Sequence, residues 1–150
     1  MNAMLMEPLN NAIQMKSKIN SAKEKYIKCD IYKCSITVFI GTPDQLKEWC
    51  KKTYKGDETC ECFNKGLQDC EYGEADAHFC DDIGVIRLPN FPKTAKDISL
   101  ATHELLHAVM WMLSRCGIKL DDTQIQNEAY TYLLEYLVLN TLEEKGYKKA

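Results

Sequence analysis

Two histidines and a glutamate in this chain stand at the spacing that metal-assisted hydrolysis uses. Residues 99–111 contain His103-Glu104-Leu105-Leu106-His107, a His-Glu-x-x-His run inside a stretch patterned as helix. Residues four apart lie one turn apart on the same helix face, so the two imidazoles can converge on one ion. Zinc takes neutral imidazole nitrogens at about 2.0–2.1 Å and prefers tetrahedral coordination. Glu104 is offset from the pair. It is placed to reach a water on the ion rather than the ion itself, which is the position of a general base. The chain has 3 His, and two of them fall in this pattern.

A catalytic zinc usually has three protein ligands and a water, so two imidazoles leave it one ligand short. Glu128 is the first candidate for the third ligand, with His78 and Glu135 behind it. Between Ala129 and Leu139 nearly every residue is apolar or Tyr. A helix that is apolar all round is normally buried. Buried carboxylates are usually paired or on a metal, which makes Glu128 and Glu135, seven residues apart on one face, informative.

The elements that must position these groups are legible from capping and periodicity. Thr94, with Asp97 three residues on, starts the helix that carries the histidines, and Gly117 ends it after Cys116. Within it, His103, His107 and Met110 share one face, and Leu106, Val109 and Leu113 supply the packed side. Thr123 with Gln126 caps the next helix, expected from about Gln124 to Lys145, with Gly146 beyond it. The short connection makes the two helices neighbours, so that Glu128 can face the histidine pair.

Upstream, residues 31–40 are β-branched and aromatic and predict a strand. Gly41 ends it, and Thr42-Pro43-Asp44-Gln45 reads as an N-cap with Pro at N1 and Gln at N3. A helix to about Thr53 follows, with Leu46, Trp49 and Cys50 inward. Residues 55–74 are rich in Gly, Asp, Glu and Cys, show no sustained period and read as a loop. Residues 77–80 and 84–89 predict two short strands with a turn at 81–83. Residues 2–28 read in part as a short helix covering the core, followed by a lysine-rich solvated face.

The chain of 150 residues, 45% hydrophobic, is expected to form one domain. Its parts are an N-terminal helix or mobile segment at 1–28, a strand–helix–loop–hairpin region at 29–92 and two long helices with the metal site at 93–150. The fold class is α+β, a small mixed sheet packed on the His-Glu-x-x-His helix and the helix after it. The net charge of −3 argues against broad nucleic-acid binding. No apolar run is long enough to predict a membrane span. The N-terminal residues do not form a basic region followed by an apolar one, so the expected compartment is the cytoplasm. The 8 Cys are then expected to be reduced. Cys60, Cys62, Cys70 and Cys80 cluster, but not in the paired spacing of a zinc ribbon.

His103-Glu104-Leu105-Leu106-His107, followed by Asn127-Glu128-Ala129 on the next helix, resembles the gluzincin, thermolysin-like branch of zinc metallopeptidases. In its size the chain is similar to minimal single-domain gluzincins, including small phage or mobile-element proteins. The resemblance covers about residues 77–139 and implies a zincin-like fold. It implies His103, His107 and Glu128 as zinc ligands, Glu104 as base and proton shuttle, and Asn127 as the residue that orients His107. Glu128 follows His107 by 21 residues, close to the thermolysin-type spacing. Four residues further on that type has an Asp supporting the first histidine. This chain has Tyr132 there, so support for His103 must come from elsewhere.

The expected activity is hydrolysis of a peptide bond in a peptide or protein substrate, with Zn2+ as cofactor. His78, Tyr130, Tyr132 and Tyr136 are candidates to stabilise the oxyanion. The resemblance also implies a sheet edge beside the cleft, expected at the strand 84–88, to which an extended peptide would pair. The alternative reading is a zincin-fold binding or regulatory protein with a zinc site and little turnover.

Overall fold

The structure, a computed structural model, describes residues 21–55, 58–119 and 124–150, the side chains of 58–60, 62 and 124–127 excepted. Five strands, β1 (Lys23–Cys29), β2 (Cys34–Ile40), β3 (Asp76–Cys80), β4 (Ile83–Leu88) and β5 (Lys148–Lys149), form one sheet in the order β3-β4-β2-β1-β5. Four helices, α1 (Pro43–Thr53), α2 (Glu58–Asp69), α3 (Ala95–Arg115) and α4 (Gln124–Leu142), pack around it. β2 and β4 run parallel and the other pairs antiparallel, so the sheet is mixed and the class is α+β.

The sheet is sandwiched between two apolar layers. Ile36, Val38, Ile86 and Leu88 point to one face, where Leu105, Ala108 and Met112 of α3 and Leu133 and Leu137 of α4 meet them. Phe39 and Val85 point to the other face, against Leu46 and Trp49 of α1 and Phe63 and Leu67 of α2. Side chains alternate across a strand, so neighbours in sequence serve different layers.

Capping fixes where α1 and the site-bearing α3 begin. Thr42 and Gln45 form the expected capping box of α1. Thr94 and Asp97 form that of α3, each side chain accepting from the other's backbone N–H at 3.2 Å. The Thr94 hydroxyl, donating to Asp97 Oδ2 at 2.7 Å, and then the Thr94 N–H hold the Asp97 carboxyl below the usual carboxylate range. Gly117, at φ +73°, follows α3 in the left-handed conformation that glycine adopts without strain.

Several expectations are corrected. The described part of the lysine-rich stretch is not simply a solvated face: Lys23–Cys29 is β1, with Lys25, Ile27 and Cys29 inward. A buried Lys in the alternation masked the strand. Its ammonium reaches the last carbonyls of α4, donating to Asn140 O at 2.5 Å and Glu143 O at 2.9 Å, and so finishes that helix. Residues 1–20 lie outside the described residues. The strand expected at 31–40 begins only at Cys34, because a 3-10 turn at Asp30–Tyr32 and Lys33 at φ 50° close the β1–β2 hairpin.

The stretch read as a loop at 55–74 contains α2, anchored by Phe63 and Leu67 one turn apart. α4 stops at Leu142 rather than near Lys145. It is also not buried all round: Tyr130, Leu133 and Leu137 face inward, while Tyr132 is 67% and Leu139 61% exposed. On α3, Leu106 lies outward with Met110, and Val109 and Leu113 are buried as expected. The capping pair expected at Thr123 and Gln126 lies outside the described residues.

Candidate metal and hydrolytic site

α3 lies on the sheet through Ala101, Leu105, Ala108 and Met112, whose small and flexible side chains let the helix approach closely. The same register turns His103 and His107 outward and Glu104 inward. The imidazoles meet with Nε2 atoms 3.3 Å apart and ring planes 84° from parallel. Two nitrogens held at about 2.0–2.1 Å from one tetrahedral zinc are about 3.3–3.4 Å apart, so the pair has the bite of that ion. The residues present therefore fit the metal on the two histidines.

Glu104 is 9% exposed. Burial pushes its carboxyl above the usual glutamate range, while the adjacent His103 and His107 pull it back down. A carboxyl held up in this way is nearer to the operating range of a general base.

Glu104, His107 and Trp111 line one wall of a cleft of 530 Å³, residues 75–79 line the other, and Glu71 stands at the lip. The strand wall is β3, not the expected strand 84–88. β4 is interior, with β2 on its far side, and among the described residues β3 has no neighbour on its outer side. Gly41 N–H donates to Leu88 O and Ser35 N–H to Asp82 O, so even-numbered residues of β4 turn their backbone to β2. The odd-numbered ones face β3, where their partners are Asp76, His78 and Cys80. That leaves the backbone N–H and C=O of Ala77 and Phe79 directed away from the sheet, along the cleft.

The start of the strand wall is braced from behind by Arg87, 2% exposed on β4. Its Nε donates to Asp76 Oδ2 at 2.7 Å, and a terminal nitrogen donates to the same carboxylate and to Gly73 O at 2.8 Å. Asp76 Oδ1 accepts from Gly73 N–H at 2.6 Å, so the 73–76 turn and the start of β3 form one braced unit. Sequence reading missed Asp76, Arg87, Phe79 and Trp111. The available signals were the alternation through 76–80 and the position of Trp111 one turn after His107.

The other expected site residues sort differently. Glu128 occupies an exposed position in the second turn of α4, and Glu135 is exposed as well. Among the described residues no three His, Cys, Asp or Glu side chains gather closely enough to hold a metal. The structure thus brings His103 and His107 together and does not bring Glu128 to them. The side chain of Asn127 lies outside the described residues.

His78 borders the cleft, but its imidazole lies on the opposite face of the sheet from α3. Its neighbours Ala77 and Phe79 pack on the α3 side, and its own ring lies 5.5 Å from that of Tyr72 in the α2 layer. Burial lowers its pKa below the usual histidine value, and its Nε2 is buried without a hydrogen-bond partner.

The tyrosines are not in the cleft. Tyr130 is buried, with its hydroxyl 3.4 Å from Ile118 O. Tyr132 and Tyr136 line a separate groove beside residues 28–32, and Tyr136 donates to Lys28 O at 3.1 Å. Tyr132 therefore contributes nothing to holding His103.

Among the described residues no helix is long and apolar enough to cross a membrane. Set against known family models, characterised proteins and solved structures, the chain matches none.

Proposed function

We propose that this chain is a zinc-dependent peptidase of zincin-like architecture. The observation that carries the reading is the 3.3 Å separation of the His103 and His107 Nε2 atoms, directly beside the inward carboxyl of Glu104. His103 and His107 would hold the ion, with Glu128 as the third ligand once drawn in from its exposed position. Zinc there would supply a Lewis acid and a more acidic water.

The chain's own groups do the rest. Glu104 accepts the proton of the attacking water and returns it to the leaving nitrogen. The outward N–H and C=O groups of Ala77 and Phe79 pair with an extended substrate by strand addition, which sets the scissile carbonyl beside the histidines. Arg87 and Asp76 keep that strand edge in place.

The exposed position of Glu128 favours one second reading, a metal-binding or regulatory protein of the same architecture with little turnover. Digestion of casein and of a mixed-peptide pool by the zinc-loaded chain separates the two. The peptidase reading predicts cleavage that a chelator stops, that added zinc restores and that Glu104→Gln lacks. Zinc uptake with no cleavage of either substrate would support the second reading.

A further inference from the structure

Cys29 and Cys34 are opposite partners in the register of β1 and β2. Both side chains turn to the α4 face of the sheet, and each is 6% exposed. Ser35 and Gly41 bond on the β4 side, so even-numbered residues of β2 turn their backbone to β1. Cys29 and Cys34 are therefore a hydrogen-bonded pair, with Cα atoms about 5.5 Å apart. That lies within the span of about 4.4–6.8 Å that a disulfide bridges. Opposed Cβ atoms lie about 4.5–5.5 Å apart and a disulfide holds them at about 3.5–4.5 Å, so the pair must draw in by about 1 Å.

The pair sits where that movement meets least resistance. The β1–β2 ladder ends at Cys29 and Cys34, and beyond it the chain turns through Asp30–Tyr32 and Lys33. No further strand pair has to follow the two cysteines inward. Cys29 also lines a groove of 400 Å³ with Ile31, Tyr32, Tyr132 and Tyr136, while Cys34 stands behind it, outside the lining. A small molecule in the groove therefore meets the Cys29 sulfur first.

We propose that Cys29 and Cys34 form a two-thiol exchange site, which takes a small disulfide through the groove and closes reversibly into a Cys29–Cys34 disulfide. The Cys29 thiolate attacks one sulfur of the small disulfide, and that S–S bond breaks. One small thiol leaves with the proton, and Cys29 carries a mixed disulfide. Cys34 then gives up its proton and attacks Cys29 Sγ, and the second small thiol leaves. Two protein thiols are oxidised, and one disulfide is reduced to two thiols. The closing movement strains the product, which makes it labile and returns it to thiols in a reducing compartment.

The surroundings set the pace. Burial first, then Cys34 and Asp30, push the Cys29 thiol up to about 11. Burial raises Cys34 as well, with Cys116 and Asp82 adding to it and Arg115 opposing it. The thiolate is the reacting form, so exchange is slow at neutral pH and gains as pH rises. None of this depends on the peptidase reading.

The test uses the full wild-type chain, zinc-loaded, freed of excess metal and fully reduced. It is incubated with glutathione disulfide, blocked with iodoacetamide and cut with trypsin. Trypsin cuts after Lys28, Lys33 and Lys47, so a Cys29–Cys34 disulfide joins peptides 29–33 and 34–47 in one mass. That joined mass is expected, and dithiothreitol should separate it. In Cys34→Ser, glutathione should remain on Cys29. In Cys29→Ser it should reach Cys34 about tenfold more slowly, because that sulfur lies off the groove. Uptake at Cys29 in Cys34→Ser should climb about tenfold per unit between about pH 7 and 10, rather than level off near about 8.5 as an unburied thiol would. Urea below the unfolding transition should leave the rate unchanged.

A wild type in which Cys29 and Cys34 stay alkylated while Cys116 is oxidised overturns the proposal. Joining of Cys34 to Cys116 in preference to Cys29 overturns it too. A rate that climbs with urea alongside the unfolding equilibrium would show that unfolding, not the groove, admits the disulfide, and would overturn it as well.

Discussion

The cleft between β3 and α3 and the groove between α4 and the end of β1 are similar in size, 530 and 400 Å³, and opposite in chemistry. The groove holds Ile31, Tyr132 and Tyr136, and the polar groups of Tyr136, Lys28 and Asp30 already have partners. Tyr136 donates to Lys28 O, and Lys28 pairs with Asp30 at 2.6 Å. The cleft holds the buried carboxyl of Glu104, the imidazole of His107 with that of His103 against it, and a strand edge with outward N–H and C=O groups. What separates the two is unmet chemical demand, not volume or aromatic content. The sequence places tyrosines near the glutamates of α4, but the helix turns them to the satisfied side.

The sharpest contrast is between Glu104 and Tyr136. Glu104→Gln should lower kcat/KM by about 10²–10⁴-fold while zinc is retained, since it removes a proton carrier and no ligand. Tyr136→Phe in the groove should leave kcat/KM unchanged. An equal loss from both would erase the distinction.

The ion pairs of the two regions should differ as much in stability. Arg87→Met leaves Asp76 without its partner in a site where the arginine is 2% exposed. Breaking a buried pair this way typically costs about 3–5 kcal/mol, read as a fall in the denaturant midpoint. Lys28→Ala breaks an exposed pair and should leave the denaturant midpoint close to that of the wild type.

The pH profile tests Glu104 itself. In the metal-free chain burial pushes its carboxyl above the ordinary glutamate range, against the pull of His103 and His107. The folded state also binds this proton more tightly than the unfolded state. The stability this gives is present below the unfolded pKa and lost as pH rises through the folded one. Glu104→Gln should therefore gain on the wild type in unfolding free energy as pH rises through that window. The smallest effect belongs to the groove: Tyr132→Ser, at an exposed position, should change stability by about 0.5 kcal/mol or less.

The parts of this fold that were legible in the sequence are those fixed locally. Thr42 and Thr94 announce α1 and α3 because a capping box is a four-residue device, and Gly117 marks the end of α3 for the same reason. The His103–His107 pairing followed from helical spacing alone. What escaped depends on distant partners. β1 was hidden because Lys25 occupies an inward position that makes sense only once the end of α4 accepts its ammonium. α2 was hidden because Phe63 and Leu67 are its sole strong periodic signal among Cys and Gly. That β3 is the sheet edge, and that His78 faces α2, follow from strand order, which no local pattern encodes. Glu128 could be chosen from spacing, but its position relative to the histidines depends on how α4 packs.

The most direct measurement is zinc per chain, by elemental analysis after exhaustive dialysis, for the wild type, His107→Ala and Glu128→Ala. The account predicts one zinc per chain in the wild type and loss from both variants. A wild type that holds no zinc, even after zinc is added back, would contradict it. Full retention in Glu128→Ala would contradict the assignment of the third ligand.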